Sequence, residues 1–524
     1  MSKKPRKEKS ALAKKIGLWI YGVVYTFLIV AGLVFEAPPK IIAFLFLLLL
    51  VGVFPKRLSR YIAYALLGVV LISAVWVFLP DEDIGEWQYF TFDDELAALE
   101  AKYEVPDNQN AATIYNKLLQ GYNSDDLRPQ FMDDELRDLA ISDPWTSKDE
   151  PELAKWIKEK HDDTIESLMQ ASKIERCSFS ITPSLFSNTE QEEKRQGAMK
   201  EWARLLVMSG NNDIGEDRIG IALEKSAVAL QIGKHELQQP AIIDYLVGIG
   251  IEAIVAKQFN RLVIIGDITE SHLNLIEELV EDIKHDWARD WPRLLEYEKL
   301  FVKNNCCALI YEKNSEGRVR RTPNMHHRPT QVDYWEERER KLTRLLMCIV
   351  LPNTPREFGE YIDDYYQRYY AMAGPEYNWQ KEPEEFSYTP IMLNYKIIIR
   401  MLLTILEPAY HKIHDFHLRV ISNNRASRLL IVLRRYKNEN GYWPKGLNDI
   451  KSQVSAELFV DPVNEDPYVY RLNDDGFTLY SKGKNNIDEG GDKRTKKSDG
   501  TETDDMLIWP SELPKSKEDE TDGE

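Results

Sequence analysis

The amino-acid sequence predicts a membrane-anchored, multi-domain chain with three N-terminal transmembrane helices, a mainly α-helical extracytoplasmic domain and a small α+β C-terminal module. Three observations predict this class: long uncharged segments near the N-terminus, helical periodicity through the middle, and two alternating strand-like segments near the C-terminus. The predicted parts are a basic N-terminus (1–15), a transmembrane region (16–80), the helical domain (81–410), the α+β module (411–511) and a disordered acidic tail (512–524).

Charge and cysteine content exclude several classes of function. The first sixty of the 524 residues have a net charge of +9, which leaves −27 for the rest of a total of −18. Because an acidic body repels phosphate backbones, we expect no nucleic-acid partner. None of the four cysteines forms a C-x-x-C pair, so the sequence does not support a zinc-ribbon or thioredoxin-like site.

Two apolar segments, 16–35 and 61–79, are long enough to span a hydrocarbon core of ~30 Å at ~1.5 Å per residue. A shorter segment, 41–54, is either a third span or a re-entrant segment. Basic residues at the N-terminus and in "PKRLSR" alternate with the near-neutral "EAPPK" and the acidic "DEDIGEW". By the positive-inside rule we expect three spans in a bacterial cytoplasmic membrane, with the lipid bilayer as a partner and the large C-terminal part outside the cytoplasm.

Helical periodicity dominates residues 93 to 435. Two apolar stripes on either side of Pro240 predict an antiparallel helix pair, and the glycines of "GIG" (248–250) favour close helix packing. Further helices are predicted at 150–172, 270–304, 334–350 and 355–373, and a long loop at 312–333.

The segment "HKIHDFH" (411–417) contains the most suggestive cluster of candidate ligands. On a helix that starts at Pro408, His411, His414 and Asp415 share an arc of ~100° and present two nitrogens and one oxygen to a divalent metal. This pattern supports an alternative function, an extracytoplasmic metal-dependent hydrolase. The other interpretation is a polar helix face.

In "YIDDYYQRYY" (361–370), three tyrosines form one helical stripe and two more lie beside it: Tyr361, Tyr365 and Tyr369, then Tyr366 and Tyr370. Such a stripe either packs helix against helix or stacks against sugars and peptides. Packing is the commoner role, so a sugar or peptidoglycan binder is only a third hypothesis.

The C-terminal region predicts a helix packed on a small antiparallel sheet. A helix over 428–440 ends at Gly441, a left-handed cap, and Pro444 prevents its continuation. The alternating segments "YVYRL" and "FTLYS" flank the turn residues "NDDG" and predict a β-hairpin.

The order of short motifs in this region resembles the C-terminal domain of the major pseudopilin of type II secretion systems. The resemblance covers about 90 of the 524 residues. The matching residues are Tyr436, Gly441, Trp443, Pro444, Gly446, Leu447, Asp461, Pro462, Pro467, Tyr468, Tyr470, Tyr480, Ser481, Gly483, Gly490, Gly491, Asp504, Asp505 and Trp509.

The resemblance implies a calcium site in the last loop, and Ca²⁺ prefers six to eight hard oxygens from a flexible loop. Two departures argue for a solvated polar loop instead: Asn485 replaces the family's first loop aspartate, and four basic residues precede Asp504. The candidate ligands are Asn485, Asn486, Asp488, Asp504 and Asp505, and the basic residues are Lys493, Arg494, Lys496 and Lys497.

These observations predict a non-enzymatic interaction or scaffold protein of the bacterial envelope. No complete catalytic motif occurs, and the module lies more than 300 residues from the predicted spans without the short leader of a filament subunit. We therefore expect a reused pseudopilin head with protein partners in the cell envelope, associated with secretion or pilus-type machinery.

Overall fold

The computed structural model describes residues 87–181, 189–308, 311–321, 354–374, 395–474, 476–491 and 503–510. The helices in these ranges are α1 (Asp93–Tyr103), α2 (Ala112–Gly121), α3 (Asp134–Ser142), α4 (Pro151–Ser172), α5 (Thr189–Gly215), α6 (Ile219–Leu237), α7 (Ile242–Ile265), α8 (Glu270–Glu281), α9 (Trp287–Ala308), α10 (Pro355–Tyr370) and α11 (Tyr395–Asn440). The strands are β1 (Trp87–Tyr89), β2 (Tyr311–Asn314), β3 (Val319–Arg321), β4 (Val469–Asn473), β5 (Gly476–Ser481) and β6 (Met506–Trp509).

The chain divides into two compact units, and each is described by itself. The first unit comprises Met1–Glu95, Lys299–Tyr369 and Asn378–Ala409. The second comprises Leu96–Glu298, Tyr370–Tyr377 and Tyr410–Glu524.

The first unit contains the antiparallel sheet β1-β2-β3 and a buried lysine. The ammonium of Lys303 donates to Glu95 at 2.6 Å and to Asp363 at 3.0 Å, so its charge is balanced inside the unit. In α10, Tyr365, Tyr366 and Tyr369 are buried, which supports the packing interpretation of the tyrosine stripe.

The second unit is built on the helices α5, α6 and α7. The helix pair that the sequence predicts around Pro240 is confirmed, since α6 and α7 flank it. A Cβ on Gly248 would lie 2.9 Å from the carbonyl oxygen of Gly233, so these glycines allow close approach of the two helices. The close packing that the "GIG" motif indicated is therefore made by Gly248, whereas a Cβ on Gly250 would meet no neighbouring atom.

A buried ion cluster ties these three helices together. The guanidinium of Arg195 in α5 donates to both oxygens of Glu236 in α6, at 2.9 and 3.0 Å. It also donates to Asp244 in α7 at 2.6 Å. Both carboxylates therefore have an internal counter-charge, which buried acids require.

The C-terminal module has the predicted helix cap and hairpin. Gly441 follows α11 with φ +83° and donates to the carbonyl of Lys437 at 2.7 Å. Strands β4 and β5 pair antiparallel, and β6, which the sequence did not predict, completes the sheet β4-β5-β6. The hydroxyl of Tyr468 donates to the carbonyl of Ser422 in α11 at 2.9 Å, and this bond joins the hairpin to the helix.

The predicted membrane architecture requires correction. In the described ranges, no helix combines the length and the apolar character needed to cross a membrane. Even α7, a long and strongly apolar helix, carries Asp244, Glu252, Lys257 and Arg261. The three predicted spans, within 16–79, lie outside the described residues. For the part of the chain that the structure describes, the fold class is corrected to mainly helical with two small sheets, and a multi-pass location in the cytoplasmic membrane is not supported.

Three local predictions also change, and a fourth is not tested. The helix predicted at 270–304 is two helices, α8 and α9, because Asp286 accepts the backbone N–H of Arg289 at 3.3 Å and starts a new helix. Pro408 lies inside α11 and does not start it. The loop predicted at 312–333 contains most of the β2–β3 hairpin. The helix predicted at 334–350 lies outside the described residues, as do the basic N-terminus and the acidic tail.

Candidate cation site in the C-terminal module

Two chain segments meet beside β5 and β6 and bring most of the predicted calcium ligands into one loop region. The loop after β5 turns back through left-handed residues, with φ +63° at Gly483 and +57° at Asn486. A Cβ on Gly483 would lie 2.2 Å from both the carbonyl oxygen and Oδ1 of Asp504. Only glycine fits this close approach, so the loop is packed directly onto Asp504.

Asp504 is a buried carboxylate that is only half satisfied. Its Oδ2 accepts the backbone N–H groups of Lys484 at 2.8 Å and Asn485 at 3.3 Å. Its Oδ1 is buried, and among the described residues it has no hydrogen-bond partner. The described residues therefore leave one oxygen of this buried carboxylate without a donor.

Asp505 repeats the same arrangement. Its Oδ2 accepts the backbone N–H groups of Glu489 at 3.0 Å and Gly491 at 2.8 Å. Its Oδ1 is also buried and lacks a partner within the described part of the chain. Burial raises the pKa of Asp505 despite these two donors. The ionised form is thus under-stabilised at this position.

The remaining predicted ligands are engaged elsewhere. Asp488 accepts from Arg471 at 2.7 Å and from the Tyr480 hydroxyl at 2.6 Å, and the Tyr480 hydrogen bond in particular lowers its pKa. Asn486 donates to Asp466 at 2.9 Å, and the Asn485 side-chain oxygen accepts the backbone N–H of Ile487 at 2.7 Å. The four basic residues at 493–497 lie outside the described residues.

Glu489 is a candidate that the sequence prediction missed. Its Oε2 accepts the backbone N–H of Asp504 at 2.7 Å, and its Oε1 accepts from the Asn485 amide at 3.2 Å. Its position in an acidic loop just before Gly490 and Gly491 was the available signal.

The chemistry of these groups fits a hard cation. Asp504 and Asp505 offer two carboxylate oxygens without donors, and Glu489 lies beside them, so the set consists of oxygens only, as Ca²⁺ requires. Over the described ranges, no group of three or more His, Cys, Asp or Glu side chains is already arranged to hold a metal ion. A bound cation would accordingly need backbone oxygens, water or a small adjustment of the loop.

The histidine cluster of the alternative prediction does not converge on one point. Asp415 forms an ion pair with Lys484, whose Nζ lies 3.0 Å from Oδ1. The His414 ring is buried with its centroid 4.9 Å from that of Trp287, and burial lowers its pKa to about 3. His411 lies on the same helix, α11, but no metal-binding group forms around it among the described residues.

Two buried hydrogen bonds were not indicated by the sequence. His417, also in α11, has its Nδ1 2.7 Å from the Tyr245 hydroxyl, and His285 has its Nε2 2.7 Å from Oε2 of Glu252. The rings of His285 and His417 lie 5.9 Å apart. These residues come from two helices, α7 and α11, and from the loop before α9, so no local spacing pointed to them.

Comparison with known proteins gives no match to a family model, a curated protein or a solved structure. The pseudopilin resemblance therefore stays a prediction.

Proposed function

We propose that the chain is a non-enzymatic interaction or scaffold protein whose pseudopilin-like C-terminal module is stabilised by a bound calcium ion. The observation that carries this proposal is the adjacent pair Asp504 and Asp505, each with one buried carboxylate oxygen that lacks a partner among the described residues. The motif resemblance supports the assignment and makes components of secretion or pilus-type machinery the first protein partners to test.

The free-energy cost of burying an oxygen without a donor supports a bound cation. A buried polar atom without a partner costs roughly 1–3 kcal/mol, and more when it is charged. The backbone N–H groups that hold each Oδ2 fix both carboxylates in place before a ligand arrives. Calcium fits better than magnesium because a loop of irregular geometry suits its flexible coordination, and better than zinc because no thiolate or imidazole lies among the candidate ligands.

The test is thermal unfolding of the full chain in EDTA and in excess CaCl₂. A ligand that binds only the folded state at 100 times its Kd stabilises it by about 2.7 kcal/mol, so calcium should raise Tm by several degrees. Asp504→Asn and Asp505→Asn should abolish the rise. Asp488→Asn is the matched control, since its carboxylate already pairs with Arg471, and it should retain the rise.

Without calcium, Asp505→Asn should increase the stability of the chain. Asparagine can still accept the N–H groups of Glu489 and Gly491 but carries no charge. In EDTA the variant should therefore be more stable than the parent by about 1 kcal/mol, because an unpaired buried charge is removed. A calcium response that survives in both aspartate variants, or is missing in the parent, contradicts the proposed site.

A further inference from the structure

A cavity of about 680 Å³ lies in the helical part of the second unit, away from the C-terminal loop. Its walls come from α6, α7, the α8–α9 connection and the first turns of α9. The volume is in the range of roughly 300–1,000 Å³ that is usual for small-molecule sites.

A carboxylate–imidazole pair forms one part of the lining. Glu252 and His285 both line the cavity, and their side chains are only 4% and 3% exposed. Glu252 uses Oε2 for His285, while its Oε1 is buried without a partner in the described ranges. This oxygen has almost no accessible surface, so a ligand ammonium or hydroxyl group would satisfy it only after the Glu252 side chain rotates towards the cavity. Glu252 also borders a separate space of about 20 Å³, which could hold one water at most.

Cationic groups form another part of the same lining. Arg289 pairs with Asp290 through Nε at 2.9 Å, yet its side chain is 62% exposed. Arg293 donates one Nη1 hydrogen to the carbonyl oxygen of Gln239. Guanidinium groups have five donors each, so both arginines retain N–H groups for a carboxylate.

Opposite charges are balanced around the cavity. The lining holds four carboxylates and four Lys or Arg side chains besides His285. Such a lining disfavours ligands with a large net charge of either sign, such as polyphosphates. It matches a molecule that carries one positive and one negative group.

We propose that this cavity binds a small zwitterion, an amino acid or a short peptide, with its ammonium group on Glu252 and its carboxylate on Arg289 and Arg293. This inference is independent of the calcium site. It assigns Glu252 and His285 a role in recognition that the helical fold alone does not require.

The experiment is isothermal titration calorimetry of the full chain with glycine, the other standard amino acids and the dipeptide Gly–Gly. Acetate and methylammonium, which carry only one of the two charges, serve as the comparison. Concentrations should reach about 10 mM, above the millimolar range of weak ligands. At least one zwitterion should bind, and it should bind at least tenfold more tightly than either single-charge probe.

Two variants test the assigned contacts. Glu252→Gln keeps an acceptor for His285 but loses the charge, and should weaken zwitterion binding by about tenfold or more. Arg289→Gln changes an exposed side chain, so it should fold and still weaken binding. Asp213→Asn is the matched control: Asp213 is buried and paired with Lys225 outside the cavity, and its replacement should leave affinity unchanged.

Three results would overturn the proposal. They are no binding by any zwitterion, equal binding of acetate or methylammonium, and unchanged affinity in both Glu252→Gln and Arg289→Gln.

Discussion

The buried ion cluster around Arg195, in the helical part of the second unit, differs from the pair of buried aspartates in the C-terminal loop. In the helices, Glu236 and Asp244 share the guanidinium of Arg195, at distances of 2.6 to 3.0 Å. In the loop, Asp504 and Asp505 accept only backbone N–H groups, and each keeps an oxygen without a partner among the described residues. Both helical carboxylates therefore accept hydrogen bonds from a cationic side chain, whereas each loop aspartate keeps one oxygen that the described residues leave without a donor.

Burial alone does not explain this difference. Asp461 in the same C-terminal module is fully buried, but it accepts from the Ser481 hydroxyl, the Val463 N–H at 3.0 Å and the Asn464 amide at 3.3 Å. These hydrogen bonds hold the segment before the hairpin in place, and both Asp461 oxygens already have donors, so Asp461 is not a candidate cation ligand. The satisfaction of each oxygen therefore separates structural acids from candidate ligands.

The largest expected loss of stability comes from removing one carboxylate of the Arg195 cluster. Glu236→Ala would leave the charge of Arg195 buried beside only one carboxylate, and losing one partner of a buried ion pair costs about 3–5 kcal/mol. Urea unfolding of the full chain measures this loss. Lys102→Ala removes an exposed partner of Glu296 in the same unit and should cost under about 1 kcal/mol.

If Glu236→Ala loses less unfolding free energy than Lys102→Ala, water must solvate Arg195 in the folded protein. The contrast with the loop would then lose its physical basis.

An intermediate effect on stability is expected from pH, because the helical part also keeps two buried histidines, His414 and His417, neutral. Burial lowers the pKa of His414 and of His417 to about 3, whereas the unfolded residues titrate near 6.5. The unfolded state therefore binds more protons between these values. Each histidine should cost ~1.4 kcal/mol of stability per pH unit as the pH falls below 6.5.

The pKa shift of His285 has the opposite direction. Burial opposes its charge, but Glu252 outweighs burial and raises the pKa above the ordinary value. Its stabilising contribution is complete below the unfolded pKa and is lost as the pH rises through the folded pKa. It therefore acts at higher pH than His414 and His417 do.

The measurement is the free energy of urea unfolding in calcium-saturated buffer between pH 6.5 and 5. Replacing His414 by Gln should reduce the acid slope by ~1.4 kcal/mol per pH unit, and also replacing His417 should reduce it further. An unchanged slope in the double variant would show that the two rings are hydrated in solution.

The features that the sequence predicted correctly depend on residues that are close together along the chain. Alternation around "NDDG" predicted the β4–β5 hairpin, and Gly441 with Pro444 predicted the end of α11. Asp504 and Asp505 were identified through a motif resemblance, and each has one oxygen without a partner among the described residues. Local turn chemistry was sufficient for the hairpin and the helix end, whereas the two aspartates required the resemblance.

Most features that the sequence did not predict depend on residues that are distant along the chain. Tyr245 and His417 are 172 residues apart, and strand β1 pairs with β2 more than 200 residues later. No periodicity encodes such pairings, and strands of three or four residues are too short to alternate visibly. The helix break at Asp286 was missed because the apolar pattern continues across it, and only the capping side chain marks it.

The smallest effect should come from the backbone of the C-terminal module. Gly441 has φ +83°, where a Cβ meets no neighbouring atom, so Gly441→Ala tests conformational strain without a steric clash. The left-handed conformation costs an L-residue about 1 kcal/mol, and urea unfolding should show that loss. Gly446→Ala is the matched control, because Gly446 has φ −170° and equally open surroundings, and it should change little. Equal losses in the two variants would mean that the cap does not hold the end of α11, and that the hairpin is positioned by its contacts with Ser422 and Pro444 instead.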